Sequence, residues 1–439
     1  MLSAEKAVAG PSDFIHDLLE RVSDTRRRSD ALFGIVRDGA LYERPIPERH
    51  RIIFYIGHLE AFDWNLLGSG ALGLKSRGPE LDRLFAFGID PVGGGLPTDV
   101  PSDWPSLDVV RGYVTDVRRD LDAHLQEMTL GAESPTRDGF PVSTLLNVAV
   151  EHRLMHVETL AYMLHQLPLA AKVPQLDPPF VIGPPVSHQT ISIPAGVAAL
   201  GLARGDRFGW DNEFLAHAAE VPAFEIDRYK VTNRQYLEFV AAGGYDTPSF
   251  WTGDDWNWNM ERGIAHPLFW KRDGDRWLVR CMFREVPMDE EQGVLDWPVY
   301  VSQAEASAYA RWAGKDLPTE AEWQRAAYGK EPSARVGNFD FRRWDPTPVN
   351  AFPRGQSALG VDDLLGNGWE WTSTLFGPFA GFEPFPFYRG YSADFFDGKH
   401  FVMKGGSSRT AACMLRPSFR NWFQAHYQYV YAGFRCVKR

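Results

Sequence analysis

The chain has 439 residues, 44% hydrophobic and 23% charged, the proportions expected of a soluble globular protein of two or three domains. A formal net charge of −11 and a pI near 5.6 argue against a nucleic-acid partner or an anionic membrane surface. Three cysteines, Cys281, Cys413 and Cys436, are too few and too widely spaced for a disulfide framework or a structural zinc site, so they read as buried free thiols.

In chain order, MLSAEKAVAGPSDF lacks the basic-then-apolar pattern of a secretion signal, and no apolar run reaches the length of a membrane span. A cytoplasmic protein with no membrane partner is the expectation. DFIHDLLERVSDTRRRSDALFGIV has apolar residues at helical spacing and predicts an amphipathic helix. RIIFYIGHLEAFDWNLLGSGAL predicts a second, more apolar helix that carries His58, an imidazole that needs a partner to be worth burying. The loop FGIDPVGGGLPTDVPSDWP follows, and loops of this size in compact domains tend to be functional. SLDVVRGYVTDVRRDLDAHLQEMTL is a third helix, and LLNVAVEHRLMHVETLAYMLHQL a fourth, with Ser143 and Thr144 as candidate N-caps. Four such helices form a bundle whose interior can hold a metal.

His152 and His156 lie four residues apart, about one turn along the same helix face, so both rings can point at one ion. An i,i+4 pair alone is often two satisfied side chains. A third histidine, His58, on a neighbouring helix strengthens the metal reading. Three neutral nitrogens suit Zn, Fe or another first-row ion without choosing among them. Glu158 lies roughly 200° around the helix from His156, which leaves it to orient an imidazole rather than to ligate.

LPLAAKVPQLDPPFVIGPPVSHQ is dense in proline, cannot be helical and reads as a linker over 168–188 between a helical domain at 11–167 and a second domain at 189–439. That second domain is rich in glycine and aromatics. Its pattern is short strands and turns with two helical stretches, TNRQYLEFVAAGG and SQAEASAYARWAGK. It relies on large side chains and satisfied loops more than on regular sheet.

Five phrases of the C-terminal part, FEIDRYKVTNRQYLEFV, WPVYVSQAEASAYARWAGKDLPTEAEWQRAAYG, GNGWEWTS, MKGGSS and RPSFRNW…YAGFRC, resemble the formylglycine-generating-enzyme or sulfatase-modifying-factor fold, a C-type-lectin-like α+β domain. The N-terminal part, with a histidine in its second helix and an HxxxHxE pattern in its fourth, resembles a DinB-like four-helix bundle. The combination, a mixed α plus α/β chain, is similar to the ergothioneine sulfoxide synthase family. Members are non-heme Fe(II), O2-dependent oxidoreductases that join a chalcogen to C2 of the imidazole of hercynine. The resemblance implies that His58, His152 and His156 hold the iron, that Asn421 and Trp422 sit at the betaine end of the substrate, and that a tyrosine, Tyr388 in preference to Tyr391, donates a proton or hydrogen atom. A trimethylammonium group wants aromatic faces, which Trp422, Phe423, Tyr427 and Tyr429 could offer.

Departures from the family bear on the co-substrate. Members that use γ-glutamylcysteine resemble one another in basic residues in the loop after the first metal helix and in an Asp and an Arg after the RNW phrase. Here GIDPVGGGLPTD has no Lys or Arg, and Phe423 and Tyr427 stand at the other two positions. Two carboxylates need paired cations, because an uncompensated buried charge costs several kcal/mol. A neutral selenosugar fits better, as in the related selenoneine synthases. Met155 stands where the family usually has Gln, so the betaine carboxylate must be held elsewhere. Competing expectations are an ergothioneine sulfoxide synthase using γ-glutamylcysteine or cysteine, a cysteine-based formylglycine-generating oxidase, a DinB-type thiol transferase, and a non-catalytic metal-stabilised binding protein.

Overall fold

A computed structural model describes residues 11–86, 96–128, 136–176, 178–205, 207–328 and 336–439. The chain divides into two compact units, Met1–Pro174 and Gln175–Arg439. The first part of the glycine-rich loop singled out above, residues 87–95, lies outside the described residues.

The first unit is helical, with α1 (Pro11–Phe33), α2 (Ile52–Asp63), α3 (Pro79–Leu84), α4 (Leu107–Met128) and α5 (Val142–His165). A minimal hairpin, β1 (Thr136–Arg137) and β2 (Phe140–Pro141), leads into α5. In α4 the buried positions Val110, Tyr113, Val117, Leu121 and Leu125 recur every three or four residues, the one-sided pattern of a helix with a wet face. By contrast α2 and α5 are buried almost all round. Helices apolar on every side belong inside, so α2 and α5 are the inner pair, with α4 packed on α2 and α1 on α5. Pro141 is the N-cap of α5 and Ser143 and Thr144 fall in its first turn, so neither is the cap that the sequence suggested. The start of the proline-rich stretch belongs to this unit: Val173 N donates to Ile35 O at 2.8 Å and Arg37 N to Ala171 O at 3.0 Å.

The second unit holds β3 (Thr190–Ile193), β4 (Gly196–Leu200), β5 (His217–Val221), β6 (Phe224–Asp227), α6 (Asn233–Ala241), α7 (Gly253–Arg262), β7 (Trp270–Asp273), β8 (Arg276–Arg280) and β9 (Glu285–Pro287). After these come α8 (Gln303–Trp312), α9 (Glu320–Tyr328), β10 (Trp369–Leu375), β11 (His400–Lys404), β12 (Asn421–Gln424), β13 (Ala432–Gly433) and β14 (Val437–Lys438). The widest sheet runs β12-β11-β10-β13, antiparallel except for the β10–β13 pair. The C-terminal strand β14 returns beside β6, which also pairs with β3. Capping boxes at Thr232 with Gln235 and Ser302 with Glu305 start α6 and α8, the two helices expected from sequence; α7 and α9 add to them.

Strands this short cannot carry the unit, and buried ion pairs tie its loops together. Glu370 on β10 accepts from Arg435 Nε at 2.5 Å and Nη2 at 2.9 Å, with both side chains fully buried, and Arg435 also donates to the carbonyls of Asp227, Arg228 and Asp362. The GNGW phrase explains itself in the same region. Gly366 (φ +80°) and Asn367 (φ +62°) adopt left-handed backbone, and the Asn367 amide crosslinks the turn by bonding Thr347 O at 2.9 Å and Thr347 N at 2.8 Å. Removing Arg435 from this fully buried pair leaves Glu370, among the described residues, with only Lys230, 3.6 Å away, as counter-ion. Arg435→Met is therefore expected to destabilise the protein by about 3–5 kcal/mol, read as a lower denaturant midpoint; a loss below about 1 kcal/mol would show that Glu370 finds other compensation.

Candidate metal centre

His58 projects from the middle of α2, and His152 and His156 from successive turns of α5. All three are buried, and one ring nitrogen of each lies within 4.8 Å of the others. His156 Nε2 is 3.2 Å from both His58 Nε2 and His152 Nε2. Two imidazole nitrogens sharing an ion at about 2.0–2.1 Å and roughly 90–110° would be about 2.8–3.4 Å apart, so the separations fit a common first-row ion. His58 Nδ1 donates to the Phe85 carbonyl at 2.7 Å, which leaves the Nε2 lone pair facing its partners, the tautomer a ligand needs. Burial holds the His58 imidazole at a pKa of about 4, and burial with neighbouring positive charge keeps His152 and His156 well below the ordinary value. At neutral pH all three are uncharged donors. The residues present therefore fit a divalent metal.

Aromatic rings fix the imidazoles. Phe62 stacks on His152 at 3.4 Å between centroids and 10° between planes, and Phe54 stacks on His58 at 4.9 Å and 23°. Gly57 is required because a Cβ there would come within 2.4 Å of the Phe85 ring, whose residue supplies the carbonyl that orients His58. Immediately after the ligand helix, Trp64–Gly68 widens into a π-helical turn, a feature common at functional sites.

Sequence reasoning missed Arg153, which sits between the ligand His152 and the rest of α5. Its guanidinium, buried at 1% exposure, donates to Glu60 at 2.9 Å, Asp63 at 2.6 Å and the Leu59 carbonyl at 3.1 Å. All three acceptors are on α2. Burial alone would raise the Glu60 carboxyl, but Arg153 and Arg118 hold it down at about 2. Arg118 on α4 reaches Glu60 at 2.7 Å and Asp30 on α1 at 2.7 Å, so one charge network joins four helices. An arginine beside a metal histidine, with two acids on the helix of the other ligand, is the signal that could have been read.

Two other cations change the charge picture near α2. The segment GIDPVGGGLPTD has no Lys or Arg of its own, but it follows α3; the stretch between the His58 helix and α3 carries Lys75 and Arg77, and Arg44 and Arg51 fold onto Asp99, Arg51 Nε at 2.9 Å from its carboxylate. Arg49 is buried and its charge contributes to lowering the His156 pKa. Met155, on the same helix as the ligands, is half-buried, and Glu158 is buried.

The remaining predicted residues belong to the second unit. Asn421, Trp422 and Phe423 are consecutive on β12 and all half-buried. Side chains alternate along a strand, so Trp422 points away from Asn421 and Phe423. Trp422 stacks on Phe376 at 4.1 Å and 6° and meets Tyr391 edge-on at 5.4 Å. Tyr388 and Tyr391 lie 5.5 Å apart. Phe423 and Tyr427 stack on each other at 4.9 Å and 10°, with Tyr429 edge-on to Tyr427 at 5.2 Å. The aromatic cluster expected as one surface is thus two groups, and β12 alternation is the physical reason.

A neutral three-histidine cluster in a helical unit, carried on one chain with a loop-rich α+β unit, defines a two-part protein with a candidate metal centre. Residues 21–160 match the DinB superfamily, and residues 184–439 match the sulfatase-modifying factor enzyme 1-like domain. The chain is 37% identical to hercynine oxygenase of Mycolicibacterium smegmatis over 81% of its own length and 83% of the relative's. It is 27% identical to ergothioneine biosynthesis protein 1 of Neurospora crassa over 91% of this chain and 55% of that protein, and 30% identical to the formylglycine-generating enzyme of Mycobacterium tuberculosis over 57% of this chain. The chain belongs to the hercynine oxygenase family and is an enzyme. No helix among the described residues is long and apolar enough to cross a membrane.

Two imidazoles bind a divalent ion far more weakly than three, so His58→Ala, His152→Ala and His156→Ala are each expected to abolish stoichiometric metal. Arg153→Met keeps the three ligands but frees α2 from α5, and a metal affinity lower by about 10–100-fold is expected, the range for residues that orient ligands. Titration of metal-free protein with Fe(II) under anaerobic conditions checks both; full affinity in Arg153→Met would remove it from the site.

Proposed function

We propose that the enzyme uses Fe(II), held by His58, His152 and His156, and O2 to join a chalcogen donor to C2 of the imidazole of hercynine, and that the donor is a selenosugar, giving a selenoneine precursor. The observation that carries this reading is the convergence of three buried, neutral imidazoles at 3.2 Å in a chain 37% identical to a hercynine oxygenase. Iron bound there would supply the activation of O2 for oxidative C–Se or C–S bond formation. The domains proposed to serve the reaction are a four-helix bundle at 11–167 and the α+β domain at 189–439, joined by the proline-rich 168–188.

The chain's own residues bind, orient and supply a proton. Asn421 and Trp422 are the positions proposed for the betaine end; their side chains leave β12 on opposite faces, so the aromatic surface for a trimethylammonium, which cannot donate hydrogen bonds, is Trp422's alone. Met155 has no donor to offer a carboxylate. Tyr388 is the proposed proton donor at its O–H, with Tyr391 the alternative. Support for a neutral donor comes from Phe423 and Tyr427, whose parallel rings present apolar faces where a dicarboxylate donor would need an acid and a cation. Arg44 and Arg51 do not restore those charges, since both are engaged by Asp99.

A cysteine-based oxidase is less well supported. Cys281 and Cys436 are buried free thiols, Cys413 is half-buried, and burial pushes the Cys436 thiol well up, away from the thiolate a nucleophile requires.

Each missing charge-assisted contact costs about 1.5–3 kcal/mol, so two or three imply an affinity for γ-glutamylcysteine lower by roughly 10²–10⁶. A competition assay with hercynine, O2, Fe(II)-loaded enzyme and equal concentrations of a selenosugar and γ-glutamylcysteine, read by mass spectrometry, is expected to give the sugar adduct almost alone. Dominant coupling of γ-glutamylcysteine would return the chain to ergothioneine synthesis.

A further inference from the structure

The second unit contains a buried polar turn that the reading above does not use. Trp210 precedes a 3-10 turn, Asp211–Glu213, and all four side chains are at most 1% exposed. Burying three polar side chains in succession is costly unless each is bonded, and their partners are what make the turn informative.

Asp211 accepts from the Ser392 hydroxyl and, at 3.4 Å, from Phe385 N. Asn212 Nδ2 donates to the same Ser392 hydroxyl at 3.0 Å. Phe385 and Ser392 bracket Tyr388 and Tyr391, so one carboxylate grips both ends of the tyrosine loop. Trp210 covers the loop's middle, stacked on Tyr391 at 4.0 Å and 26° and edge-on to Tyr388 at 6.4 Å. The other end of the turn holds the segment that enters β12. Glu213 accepts from Arg416 Nε at 2.8 Å and from Ser418 Oγ at 2.6 Å, and the Asn212 carbonyl accepts from Arg420 at 3.4 Å. Burial raises the Asp211 carboxyl to about 6 against the hydrogen bonds from Ser392 and Phe385. Glu213 has an arginine as counter-ion, whereas Asp211 holds the loop by hydrogen bonds from Ser392 and Phe385, so its grip on the loop is the more easily altered.

We propose that Asp211 is a positioning residue that sets the placement of the reaction tyrosine by pinning Phe385 and Ser392 on either side of it. The proposal rests on the reading of Tyr388 or Tyr391 as the proton donor. It makes the Trp210–Glu213 turn a frame shared by the tyrosine loop and the strand bearing Asn421 and Trp422. Its effect falls on the productive step, because its bonds go to the loop that carries the tyrosines.

The test uses the full-length, Fe(II)-loaded enzyme with hercynine and a 1-selenohexose, and compares Asp211→Asn, Ser392→Ala, Tyr388→Phe, Tyr391→Phe and the double variants. For Asp211→Asn, iron content and the KM for hercynine are expected to stay within about twofold of wild type. The kcat for coupling should fall about 10–100-fold, the scale of a displaced reacting group, and more O2 should be spent oxidising the donor. In the background of whichever tyrosine variant shifts that partition, Asp211→Asn should add almost nothing, since a residue acting through the tyrosine has nothing left to place. Ser392→Ala removes one of the same bonds without touching the carboxylate, and should show the same pattern more weakly even if Asp211→Asn folds poorly. Wild-type partition in Asp211→Asn or, where that variant misfolds, in Ser392→Ala, or effects that add fully to those of the tyrosine variant, would overturn the proposal. If both tyrosine variants behave as wild type, the assignment of the proton donor has failed and the proposal falls with it.

Discussion

The Arg153 guanidinium, buried between Glu60 and Asp63, is the constraint on which the metal centre depends. Three imidazoles can share an ion only if α2 and α5 keep their register to within a fraction of an ångström, and apolar packing alone is tolerant of small sliding. Arg153 is one residue from His152, while Glu60 and Asp63 follow His58 on α2. Two salt bridges of 2.9 and 2.6 Å in a dry interior translate directly into the spacing of the ligands. A fully buried ion pair is weak evidence for stability but strong evidence for specificity of arrangement, and here the arrangement is the site.

The same device recurs in the second unit, where the strands are short and much of the chain is loop. Arg435 with Glu370, Arg420 with Glu320 and Arg416 with Glu213 are all buried and join segments far apart in sequence. Each pair replaces what a longer sheet would supply: a fixed geometry for a loop that carries side chains of use. The Trp210–Glu213 turn has this character, because its acids reach both the tyrosine loop and the approach to β12.

Charge around Asp99 shows how a local reading of sequence can be right about composition and incomplete about environment. The segment 88–99 does lack Lys and Arg, but it follows α3 rather than α2, Lys75 and Arg77 lie between those two helices, and Arg44 and Arg51, which precede α2, fold back onto Asp99. Their engagement by Asp99 means that their presence does not amount to a receptive cationic surface. The proposal of a neutral donor therefore stands on pairing in three dimensions, with Phe423 and Tyr427 stacked where charged side chains would otherwise be expected.

Much of this was legible in the chain itself. Helical periodicity marked the four long helices, the i,i+4 spacing put His152 and His156 on one face, and an imidazole in an apolar helix singled out His58; the stretches that became α6 and α8 were likewise read as helical. Those features are local, because they follow from the pitch of a helix and the needs of its first turn. What only the tertiary structure decided is non-local. The Phe85 carbonyl that selects the His58 tautomer lies 27 residues away, and Asp211 is about 180 residues from the Ser392 that it holds. The separation of Trp422 from Phe423 likewise required knowing that 421–424 is a strand, since alternation across a sheet, not adjacency in sequence, decides which rings share a surface. Partners of a buried polar group are chosen by whichever donor the fold brings within hydrogen-bond distance, and no periodicity in the sequence encodes that choice.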